Sequence, residues 1–203
     1  MITIIDYKAG NLTSVKRGLD HLGLANQISA DPDVIRSAGR LIFPGVGQAS
    51  AAMRVLRERG LDEAIKEAFQ RGTPILGICI GCQIILDHSE EGDTPCLGLL
   101  PGKCLRFQLS DPALKIPHMG WNAVTPTRSH PLLAHLRPGD EFYFVHSYYP
   151  QPAHPADIYA ACDYGGSFPA AIGQDNLFAV QFHTEKSAAP GLKLLANFAE
   201  WNI

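Results

Sequence analysis

Along the first half of the chain, apolar positions recur in two rhythms. Short apolar runs at residues 1–5, 41–43 and 74–78 have the length of buried strands. Between them Leu12, Val15, Leu19 and Leu22 repeat at helical spacing behind Asn11, a cap-type residue, with Gly23 placed to end the helix. Leu61, Ala64, Ile65, Ala68 and Phe69 form a second stripe ahead of the strand at Pro74. Both stripes read as core faces, not as cofactor boxes. The alternation predicts an α/β fold: a mostly parallel central sheet with helices on both faces and its active site at the carboxyl ends of the strands. From about Cys96 to Gln174 the pattern shifts to short strands rich in Pro, Gly and aromatics, including a turn-like stretch at 172–176. That predicts a small antiparallel extension rather than a second domain. Residues 150–155, bounded by prolines, read as a surface loop, and Leu192, Leu195 and Phe198 as the face of a closing helix. With no internal repeat or low-complexity linker, residues 1–203 read as one domain.

Composition narrows the partners. A chain of 203 residues with 46% hydrophobic and 18% charged content can bury a full core. Net charge of −3 and a pI near 6.2 argue against nucleic acid or an anionic membrane as partner. The apolar start reaches Asp6 at once, too short for a signal peptide or membrane span. Five cysteines, an odd number without a stapling pattern, fit a reduced cytoplasm.

The candidate chemistry centres on Cys79, which follows the 74–78 run and is fenced by Gly77 and Gly81. Strand, thiol and helix-compatible residues in that order describe a nucleophile presented on a sharp turn. A helix N-terminus there would also favour the attacking thiolate. The alternative is a buried core cysteine, so a base is required. Alternating apolar residues lead to His183, one of eight histidines, and extended backbone through Glu185 would put His183 and Glu185 on one face. The carboxylate would then orient the imidazole, with a Ser187-capped helix starting just behind. A third element is the strand ending in Pro44-Gly45-Val46-Gly47, whose exposed N–H groups at Val46 and Gly47, with that of Ile80, suit an oxyanion. The alternative is an ordinary strand-end turn; a phosphate loop lacks its Gly-Lys-Ser/Thr ending. Cys79-x-x-Cys82 also has the spacing of a redox dithiol or a zinc half-site, but no second C-x-x-C accompanies it. No metal and no cofactor are expected.

Oxyanion loop, cysteine turn and His-x-Glu, in this order, resemble the class I glutamine amidotransferases. Further segments resemble the glutaminase subunits of imidazole glycerol phosphate synthase over essentially the whole chain: the stretches 6–12, Pro117-His118-Met119-Gly120-Trp121-Asn122, 143–148 and 181–187. The resemblance implies hydrolysis of glutamine to glutamate and ammonia. It also implies delivery of that ammonia to a (β/α)₈ cyclase subunit in a heterodimer of histidine biosynthesis. By motif, Cys79 is the nucleophile, His183 the general acid/base and Glu185 its orienter. Gly45, Gln83, Glu91 and the backbone of Ser147 and Tyr148 would hold the amino-acid end of glutamine, while Asn11, Trp121, Tyr143 and Lys186 match positions facing the cyclase. On their own these would read as a cap, core aromatics and a solvated lysine. Thr184 and Cys82 depart from the proline and methionine common in the family; threonine is at home in extended backbone. Rival readings are a glutaminase for another synthase, a stand-alone cysteine hydrolase and a non-catalytic docking scaffold.

Overall fold

The structure, a computed structural model, describes residues 1–203 except Ala9, Asn11 and Pro138. The cap and interface expectations at Asn11 therefore lie outside the described residues. The first half resolves into β1 (Ile2–Ile5), α1 (Leu12–His21), β2 (Asn26–Ser29), α2 (Pro32–Arg36), β3 (Leu41–Phe43), α3 (Ala49–Glu58), α4 (Leu61–Gln70), β4 (Ile75–Ile78) and α5 (Ile80–Ile84). The second half is strand-rich: β5 (His88–Ser89), β6 (Thr94–Pro95), β7 (Gly102–Arg106), β8 (His118–Ala123), β9 (Thr125–Pro126), β10 (Glu141–His146) and β11 (Tyr148–Pro152). It ends with β12 (Ile158–Asp163), β13 (Ser167–Gln174), β14 (Leu177–Val180) and the closing helix α6 (Ala188–Glu200).

The main sheet has eight strands in the order β2-β1-β3-β4-β14-β13-β12-β9. From β2 to β14 every pairing is parallel, and from β14 to β9 every pairing is antiparallel. The expected antiparallel extension thus continues the central sheet. Two smaller sheets stand apart, β10-β8 and β11-β7-β5-β6. Residues 150–152, the first half of the expected 150–155 loop, belong to β11 instead, with Pro150 opposite Cys104 and Pro152 opposite Gly102. The reason is position: β11 is an edge strand, where a proline without an N–H is tolerated.

Strand alternation sorts the core onto the two faces. Ile42, Leu76, Phe178 and Val180 pack with Val15 and Leu19 of α1 and Leu195 and Phe198 of α6. Leu41, Phe43, Leu177 and Ala179 pack on the other face with Leu56 of α3, Ile65 of α4 and Ile84 of α5. Gly23 ends the first helix as the sequence predicts: at a φ of 68° it donates to Asp20 O at 3.0 Å. Among the described residues no helix is long and apolar enough to cross a membrane.

Candidate active site

Cys79 sits where β4 becomes α5, with φ 55° and ψ −107°, a conformation that costs a non-glycine residue of order 1–3 kcal/mol. Its surroundings hold it there. The Cys79 N–H extends the β4–β14 ladder to Val180 O at 2.9 Å, and its own carbonyl accepts the Cys82 N–H at 2.9 Å. The flanking glycines serve close approach rather than a positive φ. A Cβ on Gly81 would lie 1.8 Å from the carbonyl oxygen of Phe43, and one on Gly77 would lie 2.9 Å from Ala179 Cβ. The end of β3 is therefore pressed against the first turn of α5. Only backbone without a side chain fits between them.

The candidate base, His183, arrives by a different route. β14 ends at Val180, His183 forms a lone antiparallel bridge with Tyr143 of β10, and Thr184–Lys186 is a 3-10 turn. The expected extended backbone from His183 to Glu185 is thus corrected to a turn, and this turn brings Glu185 Oε1 to 2.8 Å from His183 Nδ1. Both side chains are buried. Burial alone would push the His183 pKa down; hydrogen bonding and charge from Cys79 and Glu185 outweigh it and raise it to about 10. Nε2 of His183 has no hydrogen bond of standard geometry, although Cys79 is near enough to influence it. Thiol and imidazole are therefore neighbours.

Ser187 corrects the sequence reading in the same limb. It stands at the N-cap position of α6, but its hydroxyl makes no cap bond. Instead the hydroxyl donates to His183 O and accepts the Tyr143 N–H at 3.0 Å, tying the histidine's backbone to β10.

A cavity of about 260 Å³ opens at Cys79, lined by Val46, Gly47, Ile80, Gln83, Glu91, Ser147 and Tyr148 among others. It has the scale of an amino acid rather than of a larger ligand. Gly45 lies behind it, where a Cβ would be 2.0 Å from Tyr7 Oη and 2.5 Å from Ile80 Cγ2. Tyr7 in turn donates its hydroxyl to Pro44 O at 2.7 Å and fixes the base of this loop, while Gly47 keeps a φ of 114°. The Gln83 amide nitrogen is committed to Tyr148 O at 2.9 Å and Gln181 Oε1 at 3.0 Å, which leaves its Oε1 for a ligand. Glu91 Oε2 accepts the Ala49 N–H at 2.7 Å and so satisfies the start of α3.

Cys82 does not share this space. It is fully buried in the core face opposite to that of Cys79, beside Cys104, and burial pushes its thiol pKa well up. The sulfurs of the C-x-x-C spacing thus belong to opposite faces of the sheet.

Of the residues matched to a partner surface, Trp121, Tyr143 and Lys186 come together. The Trp121 ring is edge-on to Tyr143 at 6.0 Å, and Lys186 Nζ lies 5.6 Å over the Tyr143 ring. Trp121 is 50% exposed and Met119 62%, which removes the core reading of this tryptophan. Sequence reasoning assigned no role to Tyr7, Gln181, His118 or His146. The histidines left one signal: each occupies an inward position of an alternating strand, β8 or β10.

Comparison with known proteins agrees with this geometry. The family model for glutamine amidotransferase class-I matches residues 3–201. Imidazole glycerol phosphate synthase subunit HisH of Nitratidesulfovibrio vulgaris is 54% identical, covering 98% of this chain and 95% of that protein. The subunit of the same name from Desulfovibrio desulfuricans is 50% identical, covering 99% and 94%. Among solved structures, PurLQS from Thermotoga maritima superposes with a TM-score of 0.75 at 18% identity, over 98% of this chain and 97% of that one, a likeness of fold. A family match from end to end and relatives this similar over their whole length leave one assignment: the chain belongs to the class-I glutamine amidotransferases, among the HisH subunits of imidazole glycerol phosphate synthase.

Proposed function

We propose that residues 1–203 act as one glutaminase domain that hydrolyses glutamine to glutamate and ammonia through a thioester on Cys79. The observation that carries this reading is the buried His183–Glu185 pair, 2.8 Å apart, beside a strained cysteine at the mouth of an amino-acid-sized cavity. With the proton of the pair on His183, Cys79 Sγ attacks the side-chain amide carbon of glutamine as the thiolate. Glu185 holds the imidazole in orientation and stabilises its charged form. His183 then gives the proton to the leaving nitrogen, which departs as ammonia and leaves an acyl-thioester. A water that loses its proton to His183 attacks the thioester, glutamate leaves, and the sulfur departs as the thiolate with the proton again on His183.

The developing oxyanion is met by the N–H of Ile80 and by one from the Val46–Gly47 loop. Losing one such donor costs ~10²–10³ in rate, so a loop this exposed can hold turnover low until a partner sets it. Gln83 Oε1, Glu91, the Gly45 backbone and the Ser147–Tyr148 backbone hold the amino-acid end of the substrate. Trp121, Tyr143 and Lys186, with the neighbouring Met119, form the face that docks on a (β/α)₈ cyclase. That cyclase uses the ammonia to make imidazole glycerol phosphate and aminoimidazole carboxamide ribotide. The relatives' names, as subunits of that synthase, and an exposed apolar cluster on β8 support the heterodimer. A reducing cytoplasm suits a thiol enzyme of this kind.

Substituting Cys79→Ala in the complex tests the division of labour. Glutamine-dependent synthesis should fall by on the order of 10⁴ or more, while synthesis from ammonium salt persists. Loss of both activities with the complex intact would overturn the reading.

A further inference from the structure

Histidines outside the catalytic pair fill the wall between the cavity and β8. His146 ends β10 and lines the cavity; His118 begins β8 and lies opposite it in the antiparallel register. Both are buried among Phe107, Phe144 and Phe168. Their polar atoms are all in use. His146 Nδ1 lies 2.7 Å from Tyr148 O, His146 Nε2 lies 3.0 Å from His118 Nδ1, and His118 Nε2 lies 3.4 Å from Asn122 Nδ2.

The protons in this chain follow by elimination. A carbonyl oxygen only accepts, so His146 carries its proton on Nδ1. Burial holds both rings neutral, pushing His146 down to about 3 and His118 to about 4. His146 Nε2 is therefore bare and accepts, which places the His118 proton on Nδ1. His118 Nε2 is then bare in turn and faces an amide nitrogen. Asn122 is oriented independently of the rings: its Nδ2 donates to Asp163 O at 2.8 Å and its Oδ1 accepts the Ala123 N–H at 2.9 Å. The chain runs one way, from Asn122 through His118 and His146 to Tyr148 O. Its last acceptor is the carbonyl that also receives Gln83 Nε2 at 2.9 Å. The backbone at Tyr148 is thus fixed from two sides, directly beside the cavity.

We infer that His118 and His146 are positioning residues for glutamine, a hydrogen-bond relay of fixed direction that sets the Ser147–Tyr148 backbone against which the amino-acid end of the substrate binds. This rests on the glutaminase reading. The alternative is that the rings only fill an aromatic core, and the two roles respond differently to substitution. His118→Phe keeps a flat ring in a stack where the histidine lies 4.0 Å from Tyr164 and 4.9 Å from Phe144, but it removes the donor to His146. His118→Asn returns an amide N–H near the position of Nδ1.

In the complex with the cyclase, His118→Phe should raise KM for glutamine about tenfold and leave kcat within about threefold, and His118→Asn should recover most of the loss. Long-range proton–nitrogen NMR of the wild-type chain, labelled at histidine, should show both rings neutral with the proton on Nδ1 at pH 7. A proton on Nε2 of either ring, or an unchanged KM in a folded His118→Phe, overturns the relay. So does a loss of kcat, KM and melting temperature together that asparagine fails to rescue. Should His118→Phe not fold, the asparagine variant and the wild-type tautomers decide. If the wild-type complex turns over no glutamine, the glutaminase reading fails, and the tautomers still judge the relay by themselves.

Discussion

The proposed nucleophile and the proposed base are held by opposite constructions. Cys79 sits at the centre of the parallel sheet, held by backbone pressed on backbone: β3 against α5, β4 against β14. His183 has already left the sheet and is held by hydrogen bonds to β10, to the Ser187 hydroxyl and to Glu185. A close-packed joint fails outright when one methyl is added, because the neighbouring backbone cannot yield. A hydrogen-bonded limb fails by degrees. The exposed ring cluster of Trp121 and Tyr143 touches only the second construction, through the bridge between Tyr143 and His183. A protein docking on that face would therefore press on the base rather than on the nucleophile.

Adding one methyl at the joint gives the largest expected effect on the chain itself. In Gly81→Ala the new Cβ would stand 1.8 Å from the Phe43 carbonyl oxygen and 2.9 Å from its carbon, both main-chain atoms. We expect a loss of roughly 3 kcal/mol or more and a melting temperature lower by about 6–12 °C, with glutaminase activity lost as the elbow shifts. Thermal unfolding and a glutaminase assay of the same preparation check it. A variant that melts with wild type would mean that the elbow is not the rigid half.

The two constructions also differ in how far they could be read from sequence. Strand, Gly77, Cys79, Gly81 and helix form one local signal, and the stripes of α1 and α4 are likewise local, so their periodicity carried the parallel half of the fold. Even there the physical reason was incomplete, since Gly81 serves a contact with a residue 38 positions away. On the histidine side the spacing of His183 and Glu185 was legible, but it works through a 3-10 turn rather than through strand alternation. Ser187 was legible as a helix cap because serine usually caps; its true partner, the Tyr143 N–H, lies 44 residues upstream. His118 and His146, 28 residues apart, were invisible as a pair for the same reason. The prolines of β11 concealed a strand because nothing local marks an edge.

Removing a single clamp from the histidine limb should have an intermediate effect. In Ser187→Ala the His183 carbonyl keeps a donor, the Lys186 N–H at 3.2 Å, but the Tyr143 N–H loses the hydroxyl oxygen it donates to. A buried N–H left without an acceptor costs about 1–3 kcal/mol, and we expect about 1–2. Loosening the base should lower kcat between about tenfold and a hundredfold while KM for glutamine moves little. Denaturant unfolding and steady-state kinetics read both quantities. An all-or-none collapse like that expected of Gly81→Ala would erase the distinction between the two halves.

Trp121→Ala should have the smallest effect on the isolated chain, and that smallness is what makes it informative. The ring is half exposed on the outward face of β8, meeting Tyr143 edge-on at 6.0 Å. On the inward side of the same strand it is His118 that is buried, so removing an outward ring leaves the packing intact. Stability should change by no more than about 0.5 kcal/mol, as for a surface substitution. Affinity for the cyclase should fall by about 2 kcal/mol, roughly thirtyfold in Kd, because large aromatic anchors carry much of an interface. Melting of the isolated variant and titration against the cyclase separate the two effects. Unfolding of the variant would return Trp121 to the core, and unchanged Kd would move the docking face elsewhere. A weakened complex with an unperturbed melting temperature would leave the histidine limb as the half of the site that a partner can reach.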